Sequence, residues 1–207
     1  MNKKWSKYVY MGLLAALAFA LRRLEINLPF LPSFLKLDFG DLPALIAAFA
    51  FGPLGGAAVS LVNALLNWPF SSTAGVGDLC AFLISLPFVM TAGLVYKNMR
   101  NRKGAAIGAL TGAFASAVFS LFLNYYLIYP LFVSVLNYPW AVILGLYQKL
   151  LPSVQNMWQA LIIFNLPFTL AKYLLLFGLS LPIYKPISKL FRLLEKPEPQ
   201  MRPAKDE

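Results

Sequence analysis

The feature that most restricts the fold is a long apolar segment, FNLPFTLAKYLLLFGLSL, which occupies residues 164–181 and contains one charged side chain, Lys172. A helix of this length rises about 27 Å, close to the ~30 Å hydrocarbon core of a bilayer. Hydrophobic residues make up 59% of the 207 residues and charged residues only 13%, which is more apolar surface than a soluble core can bury. The chain is therefore predicted to be an integral membrane protein.

Six apolar segments are predicted to cross the membrane as helices, because they are long and unbroken rather than alternating as in a closed barrel. Their residues are 8–21, 42–51, 53–68, 79–96, 104–129 and 157–181. The lysines before the first segment and the basic loop KNMRNRK, 97–103, should both be cytoplasmic, so an even number of crossings must separate them. That requirement makes the short segment 42–51 a separate helix, with a tight turn at Gly52 and Pro53.

The predicted fold is accordingly an all-α, polytopic bundle of six transmembrane helices with both termini cytoplasmic. Residues 1–194 form the membrane-embedded domain, and residues 195–207 form a polar cytoplasmic tail. A basic start followed by Ala18-Phe19-Ala20 also resembles a signal-peptide cleavage site. Cleavage would remove the first helix, and the even number of crossings required between the basic segments would be lost. The stretch WAVILGLYQKLLP, 140–152, is interpreted as an external lid or interfacial helix, because a seventh span would place the basic C-terminal end outside.

Composition excludes several classes of function. The chain has no histidine, a single cysteine, Cys80, and eight acidic residues, four of which lie in the polar tail. It contains no carboxylate cluster, nucleophile motif or phosphate-binding loop, so the chain is predicted to be neither an enzyme nor an ATPase and to hold no metal or cofactor. The formal net charge of +10 is attributed to membrane orientation rather than to nucleic-acid binding.

The two long external loops, 25–41 and 131–156, are unusually apolar for segments outside a membrane. In the first loop, apolar and polar side chains alternate as in a short β-strand. Leu35 would then help to cover an apolar ligand, whereas Lys36 and Asp38 would face elsewhere. Anchoring of aromatic side chains at the membrane interface explains the composition equally well, so a lid and an interfacial anchor are both open at this point.

Five polar side chains are candidates for a ligand pocket inside the membrane. Asn165, Thr169 and Lys172 recur at i, i+4 and i+7, which places them on one face of the last helix. A charge near mid-bilayer costs ~3 kcal/mol or more, so Lys172 is expected to face the bundle interior rather than to snorkel. Asp78 and Asn124 lie near the outer ends of two other helices, although Asp78 also fits a helix cap and Asn124 an interhelical hydrogen bond. Together they describe an outward-facing pocket for a flat, hydrogen-bonding molecule, with Lys172 as its floor.

Two helices carry small residues at every fourth position, a spacing that lets another helix approach closely. One stripe, on the first helix, comprises Gly12, Ala16 and Ala20. The other stripe, on the fifth helix, comprises Gly108, Gly112, Ser116 and Ser120. One stripe is expected to pack the bundle and the other to bind a partner subunit, and spacing alone leaves the assignment open.

Four motifs resemble the substrate-binding S components of energy-coupling-factor (ECF) vitamin transporters, and most of all the riboflavin-specific ones. They are LKLDFGDLPALIAAFAFGPLGG after the first helix, GVGDLCAFLISLPFV at the start of the fourth, NYYLIYPLF in the fifth and FNLPFTLAK in the sixth. The resemblance implies a multi-pass protein of the bacterial cell membrane. Such a protein captures a water-soluble vitamin from outside and delivers it to a transmembrane T subunit that bears two ATPase subunits.

The resemblance also implies roles for particular residues. Ligand contacts are implied for the capping first loop, which includes Leu35, Lys36 and Asp38, and for Asp78, Asn124, Asn165 and Lys172. Contacts with the T subunit are implied for the first-helix stripe of Gly12, Ala16 and Ala20.

Two departures from the riboflavin pattern leave the choice of vitamin open. Phe168 stands where that pattern has a lysine three residues after Asn165, and Lys172 lies about 6 Å deeper along the helix. Gly40 stands where a serine is common. Pantothenate, a pyridoxine-type compound and a thiamin precursor are therefore alternative ligands. A structural membrane protein of the cell-wall elongation machinery is the alternative from another class.

Overall fold

The computed structural model describes the backbone of residues 3–195 and the side chains of residues 5–182. Most of this stretch is helical, which confirms the predicted class, and residues 196–207 of the predicted polar tail lie outside the described residues. The helices are α1 Lys3–Arg22, α2 Asp41–Phe51, α3 Pro53–Asn67, α4 Val76–Asn98, α5 Arg102–Leu123, α6 Tyr129–Leu136, α7 Trp140–Gln148, α8 Met157–Ala160 and α9 Leu166–Glu195. The two strands are β1 Ile26–Asn27 and β2 Lys36–Leu37.

Three of the described helical stretches are long and apolar enough to cross a membrane: Val76–Asn98, Arg102–Leu136 and Met157–Pro182. The second stretch joins α5 to α6, and the third joins α8 to α9, each through a wider π-helical turn. The predicted segments each coincide with a helix or a continuous helical stretch. The count of six crossings and the cytoplasmic position of both termini stay predictions.

Helices α2 and α3 form a tight hairpin. Gly52 joins them with φ 86° and ψ 176°, a backbone conformation that essentially only glycine adopts. Pro53 then opens α3, where its missing N–H leaves no helical hydrogen bond unmade. The two helices approach closely, because a Cβ atom added to Gly56 would lie 2.7 Å from the Cβ of Ala48. The short segment 42–51 is thus a separate helix, as predicted.

The small residues of α5 pack against α4. A Cβ atom added to Gly112 would lie 2.6 Å from the backbone oxygen of Phe88, and Gly108 is similarly close to the α4 backbone. One turn further on, the Ser116 hydroxyl donates a 2.8 Å hydrogen bond to the backbone oxygen of Ile84. The stripe on the fifth helix therefore serves internal packing.

The small residues of α1 lie on the outside of the bundle. Gly12, Ala16 and Ala20 are exposed, whereas Ala15 and Ala18 on the other face are buried in the core. A Cβ atom added to Gly12 would have nothing within 4 Å. The first-helix stripe thus packs against nothing in the described part of the chain.

The termini of the described helices lie at two opposite ends of the bundle. At one end, α1 finishes beside the start of α4, where Arg22 Nη2 lies 2.7 Å from Asp78 Oδ1. At the other end, Lys7 Nζ lies 6.0 Å from the centre of the Phe51 ring, at the α2–α3 turn. The first of these ends also holds the two external loops and the candidate site.

Replacing Gly112 with alanine tests the contact between α4 and α5. The added methyl group meets a backbone oxygen that no side-chain movement can displace, so we expect a loss of about 1–3 kcal/mol of stability, seen as a lower melting temperature in detergent. Gly178→Ala is the matched control, since a Cβ atom there has open space within 4 Å. An unchanged melting temperature for Gly112→Ala would contradict the packing described.

Candidate functional site

A cavity of about 730 Å³ occupies the end of the bundle where α1 finishes and α4 begins. Its wall is built by the first loop, by the connection between α3 and α4, by the outer parts of α4, α6 and α9 with the π-helical turns before α6 and α9, and by α7. The predicted ligand residues in this wall are Leu35, Lys36, Asp38, Asp78, Asn124, Asn165, Thr169 and Lys172. The structure thus brings together every residue predicted for the vitamin, and contact of each with a ligand stays a prediction.

Two π-helical turns place the amides of Asn124 and Asn165 in the cavity wall. Asn124 begins the turn Asn124–Ile128, and Asn165 ends the turn Leu161–Asn165. Each turn lies just before a proline, Pro130 or Pro167, whose ring would otherwise press on the carbonyl four residues earlier. Such wide turns recur at functional sites, because they change the direction in which side chains project.

The Asn124 amide is held from two sides but keeps hydrogen-bonding capacity for a ligand. Its Nδ2 donates a 2.7 Å bond to the backbone oxygen of Ser120, and its Oδ1 accepts a 3.6 Å bond from the Cys80 thiol. Thr169 Oγ1 donates to Ser120 Oγ at 3.4 Å. One N–H and one oxygen lone pair of Asn124 are left, together with the lone pairs of the Thr169 hydroxyl.

Asn165 belongs to a buried ring of three hydrogen bonds. Tyr147 Oη donates to Asn165 Oδ1 at 2.6 Å, and Asn165 Nδ2 donates to Tyr129 Oη at 3.2 Å. The two tyrosine hydroxyls lie 2.5 Å apart and close the ring. The sequence does not indicate this arrangement, because Tyr129 and Tyr147 lie in separate segments and no spacing relates them to Asn165.

Lys172 is paired with two carboxylates at the side of the cavity. Its Nζ lies 2.8 Å from Asp38 Oδ2 and 3.1 Å from Asp41 Oδ2, and all three side chains are at most 14% exposed. Burial raises the pKa of the Asp38 carboxyl, but the charges of Lys172 and Arg22 lower it by more, so its pKa is below the usual range. Lys172 thus faces the interior, as predicted.

The expected orientation of Asp38 is wrong. It points inward to Lys172 rather than away from the pocket, and its Oδ1 accepts a 2.9 Å bond from the backbone N–H of Gly40. Lys36, two positions earlier, is more exposed and pairs with Glu25. Strand alternation holds only over the two residues of β2, so the chain turns before Asp38 and carries that carboxylate into the bundle.

Asp78 forms an ion pair and does not cap the N-terminus of α4. Gly75 occupies the position before α4 and makes no side-chain cap, while the buried Asp78 carboxylate accepts a 2.7 Å bond from Arg22 Nη2. Sequence reasoning missed both Arg22 and Asp41. Arg22 directly follows the predicted first span, 8–21, and Asp41 is the last residue of the predicted first loop, 25–41, so neither was placed in the pocket.

The two external loops meet over the cavity. β1 pairs with β2 in antiparallel register, which confirms a strand in the first loop. The Phe34 ring of that loop then packs against Phe132, Tyr129 and Tyr147, with centroid distances of 5.7–6.2 Å. This contact favours the interpretation of the loops as a lid rather than as independent anchors at the membrane interface. Helix α7, Trp140–Gln148, is too short to be a seventh span.

Comparison with known proteins agrees with this geometry. The family described as ECF transporter, substrate-specific component, matches residues 6–184. The riboflavin transporter RibU of Staphylococcus aureus (strain TCH60) is 37% identical over 131 residues, which cover 63% of this chain and 69% of that protein. The riboflavin transporter FmnP of Bacillus subtilis (strain 168) is 35% identical over 139 residues, which cover 66% and 73%.

A third relative and a solved structure extend the similarity over more of the chain. RibU of Streptococcus thermophilus (strain ATCC BAA-250 / LMG 18311) is 31% identical over 176 residues, which cover 79% of this chain and 80% of that protein. The solved structure is the S component of a bacterial ECF transporter, with a TM-score of 0.71, 29% identity, and coverage of 93% of this chain and 99% of that one. The three relatives are named riboflavin transporters, and this chain has helices long and apolar enough to span a membrane. The chain belongs to the family of substrate-specific components of ECF transporters.

Proposed function

We propose that this chain is the riboflavin-binding S component of an ECF transporter. It captures the vitamin from outside and delivers it to a T subunit that carries two ATPase subunits. The observation that carries the proposal is the cavity lined by the Asn124 and Asn165 amides, in a chain whose relatives are named riboflavin transporters. ATP is consumed by the partner subunits, and the vitamin is cargo rather than a cofactor.

The hydrogen-bonding groups of the cavity suit a flavin. The pyrimidine edge of riboflavin presents one N–H donor between two carbonyl acceptors, and each carboxamide offers a donor beside an acceptor. The remaining wall is largely apolar and aromatic, with Phe132, Phe168 and Tyr129 among its members, which suits a flat ring. A cavity of about 730 Å³ also leaves room for a polyhydroxyl side chain.

The charges around the cavity favour a neutral ligand. Among the described cations of the cavity wall, the half-buried Arg22 is paired with Asp78, and the buried Lys172 with Asp38 and Asp41. Arg23 is exposed and lies over the rings of Phe19 and Phe70. A ligand carboxylate would lack a counter-charge at depth and would be expensive to desolvate. This argues against pantothenate. A pyridoxine-type compound or a thiamin precursor is neutral but much smaller than the cavity, so each would leave amide groups unpaired.

A structural role in cell-wall elongation is disfavoured by the same features. A scaffold protein has no use for a large cavity walled by carboxamides, and buried polar groups in a membrane protein are costly unless they serve a function. Family membership points to transport instead.

Titration of the purified protein with riboflavin tests the function directly. We expect saturable binding with quenched flavin fluorescence, no binding of pantothenate, and a loss of about 10- to 100-fold in riboflavin affinity for Asn124→Ala, which leaves ligand groups unpaired. Thr111→Ala, on the exposed far part of the same helical stretch, is the matched control and should bind as the native protein does. Tight binding of a different vitamin with no flavin binding would refute the choice of ligand while leaving the class intact.

The buried ion cluster is proposed to hold the first loop closed over the ligand. Asp38→Asn weakens the attraction of that loop to Lys172 without changing its size, so we expect riboflavin to dissociate at least tenfold faster. Stopped-flow fluorescence measures that rate. Glu25→Gln makes the same chemical change in the same loop, but at an exposed ion pair, and should raise the dissociation rate far less. Equal rates of riboflavin dissociation from the two variants would contradict this role of the ion cluster.

The exposed stripe of Gly12, Ala16 and Ala20 is proposed as the surface that binds the T subunit, in a protein with six crossings and both termini in the cytoplasm. Small residues leave a flat groove into which another helix fits closely. The stripe is directed away from the cavity-lining groups, so ligand binding and partner binding should be separable.

Replacing Ala16 with tryptophan tests this surface. The bulky ring would hold the T subunit away, so we expect riboflavin uptake by cells to fall at least tenfold while the affinity of the purified S component stays within twofold. Leu110→Trp is the control, because Leu110 on α5 is also exposed to lipid. Parallel loss of uptake and affinity would mean that Ala16 supports the bundle and not the docking.

A further inference from the structure

The ring formed by Tyr129, Tyr147 and Asn165 joins three separate elements. Tyr129 opens α6, Tyr147 lies near the end of α7, and Asn165 ends the π-helical turn before α9. All three side chains are at most 1% exposed. Asn165 and Tyr129 line the cavity, whereas Tyr147 lies behind them and is not part of its wall. Any influence of Tyr147 on a ligand must therefore pass through another residue.

With the Asn165 amide placed as it is in the structure, the protons of the ring give each bond one direction. Tyr147 has one hydroxyl proton, which it donates to Asn165 Oδ1. The 2.5 Å contact between the hydroxyls therefore requires Tyr129 to donate to Tyr147. Tyr129 in turn accepts from Asn165 Nδ2. The three bonds run in one direction around the ring, an arrangement in which each bond polarises and strengthens the next.

The ring holds the plane of the Asn165 carboxamide, because its oxygen and its NH₂ group each meet a tyrosine hydroxyl. Both hydroxyls can donate or accept, so the ring would also close around an amide rotated by 180°. With its plane held on both sides, Asn165 offers one N–H and one lone pair of Oδ1 to the cavity. An amide free to rotate would match a ligand's donors and acceptors only part of the time.

We propose that Tyr147 is a positioning residue that holds the carboxamide of Asn165 in place for the ligand. The inference rests on the proposed function, because it assigns Asn165 to the binding of the vitamin. The Tyr147 ring packs against Phe34 and Phe164 at 5.7 Å and 5.3 Å, so the same residue also ties α7 and the first loop to the site. The hydroxyl and the ring thus have separable roles.

A double-mutant cycle isolates the hydroxyl. Tyr147→Phe keeps the ring packing and removes the bond to Asn165, so we expect riboflavin affinity to fall about tenfold. In an Asn165→Ala background the same change should alter affinity by less than twofold, because the group through which Tyr147 acts is gone. Tyr125→Phe removes a hydroxyl outside the ring and should have no effect in either background. An equal loss in both backgrounds, or no loss in the native background, overturns the proposal.

A measurement without ligand separates this inference from the choice of vitamin. In protein labelled with ¹⁵N-asparagine, the side-chain NH₂ signal of Asn165, identified by its loss in Asn165→Ala, should exchange slowly with water in the native protein. We expect Tyr147→Phe to speed that exchange at least fivefold and Tyr125→Phe to leave it unchanged. Unchanged exchange in Tyr147→Phe overturns the positioning role. If the native protein binds no riboflavin, the proposed function fails, and faster exchange still supports the ring.

Discussion

The buried ammonium group of Lys172 is the constraint on which the site depends. A lone cation at this depth would be too costly to keep in the membrane, so the chain supplies two carboxylates within 3.1 Å. Asp38 belongs to the first external loop and Asp41 to the start of α2, so the ion cluster ties both to the last helix. A polar requirement inside the membrane therefore determines where an external loop lies.

A second ion pair, between Arg22 and Asp78, continues the same arrangement at the neighbouring helix ends. With these charges paired, the deeper wall of the cavity presents amides and hydroxyls to a ligand, while the exposed Arg23 in the wall lies over the rings of Phe19 and Phe70. We expect this arrangement to favour a neutral, hydrogen-bonding ligand. Charge pairing thus serves two purposes here, since it shapes the lid and also narrows the range of ligands.

Local distortions of the helices provide the amides. A straight helix in a membrane uses all its backbone groups internally and presents a regular surface, whereas the wide turns before Pro130 and Pro167 rotate the side chains that precede them. Asn124 and Asn165 owe their positions to these turns. Elsewhere the bundle is closely packed, because the small residues of α5 bring the α5 backbone against α4.

The sequence by itself determined the helical class, the positions of the long helices and several polar residues of the cavity wall, although not Arg22. It could do so because the length of an apolar segment, the spacing of residues along one helix face and the cost of a charge in a bilayer are local properties. Tertiary structure alone decided that Asp38 turns inward and that Tyr147 reaches Asn165. Lys172 and Asp38 are 134 positions apart, and such partners are chosen only when the bundle closes and every buried charge or donor must find its complement.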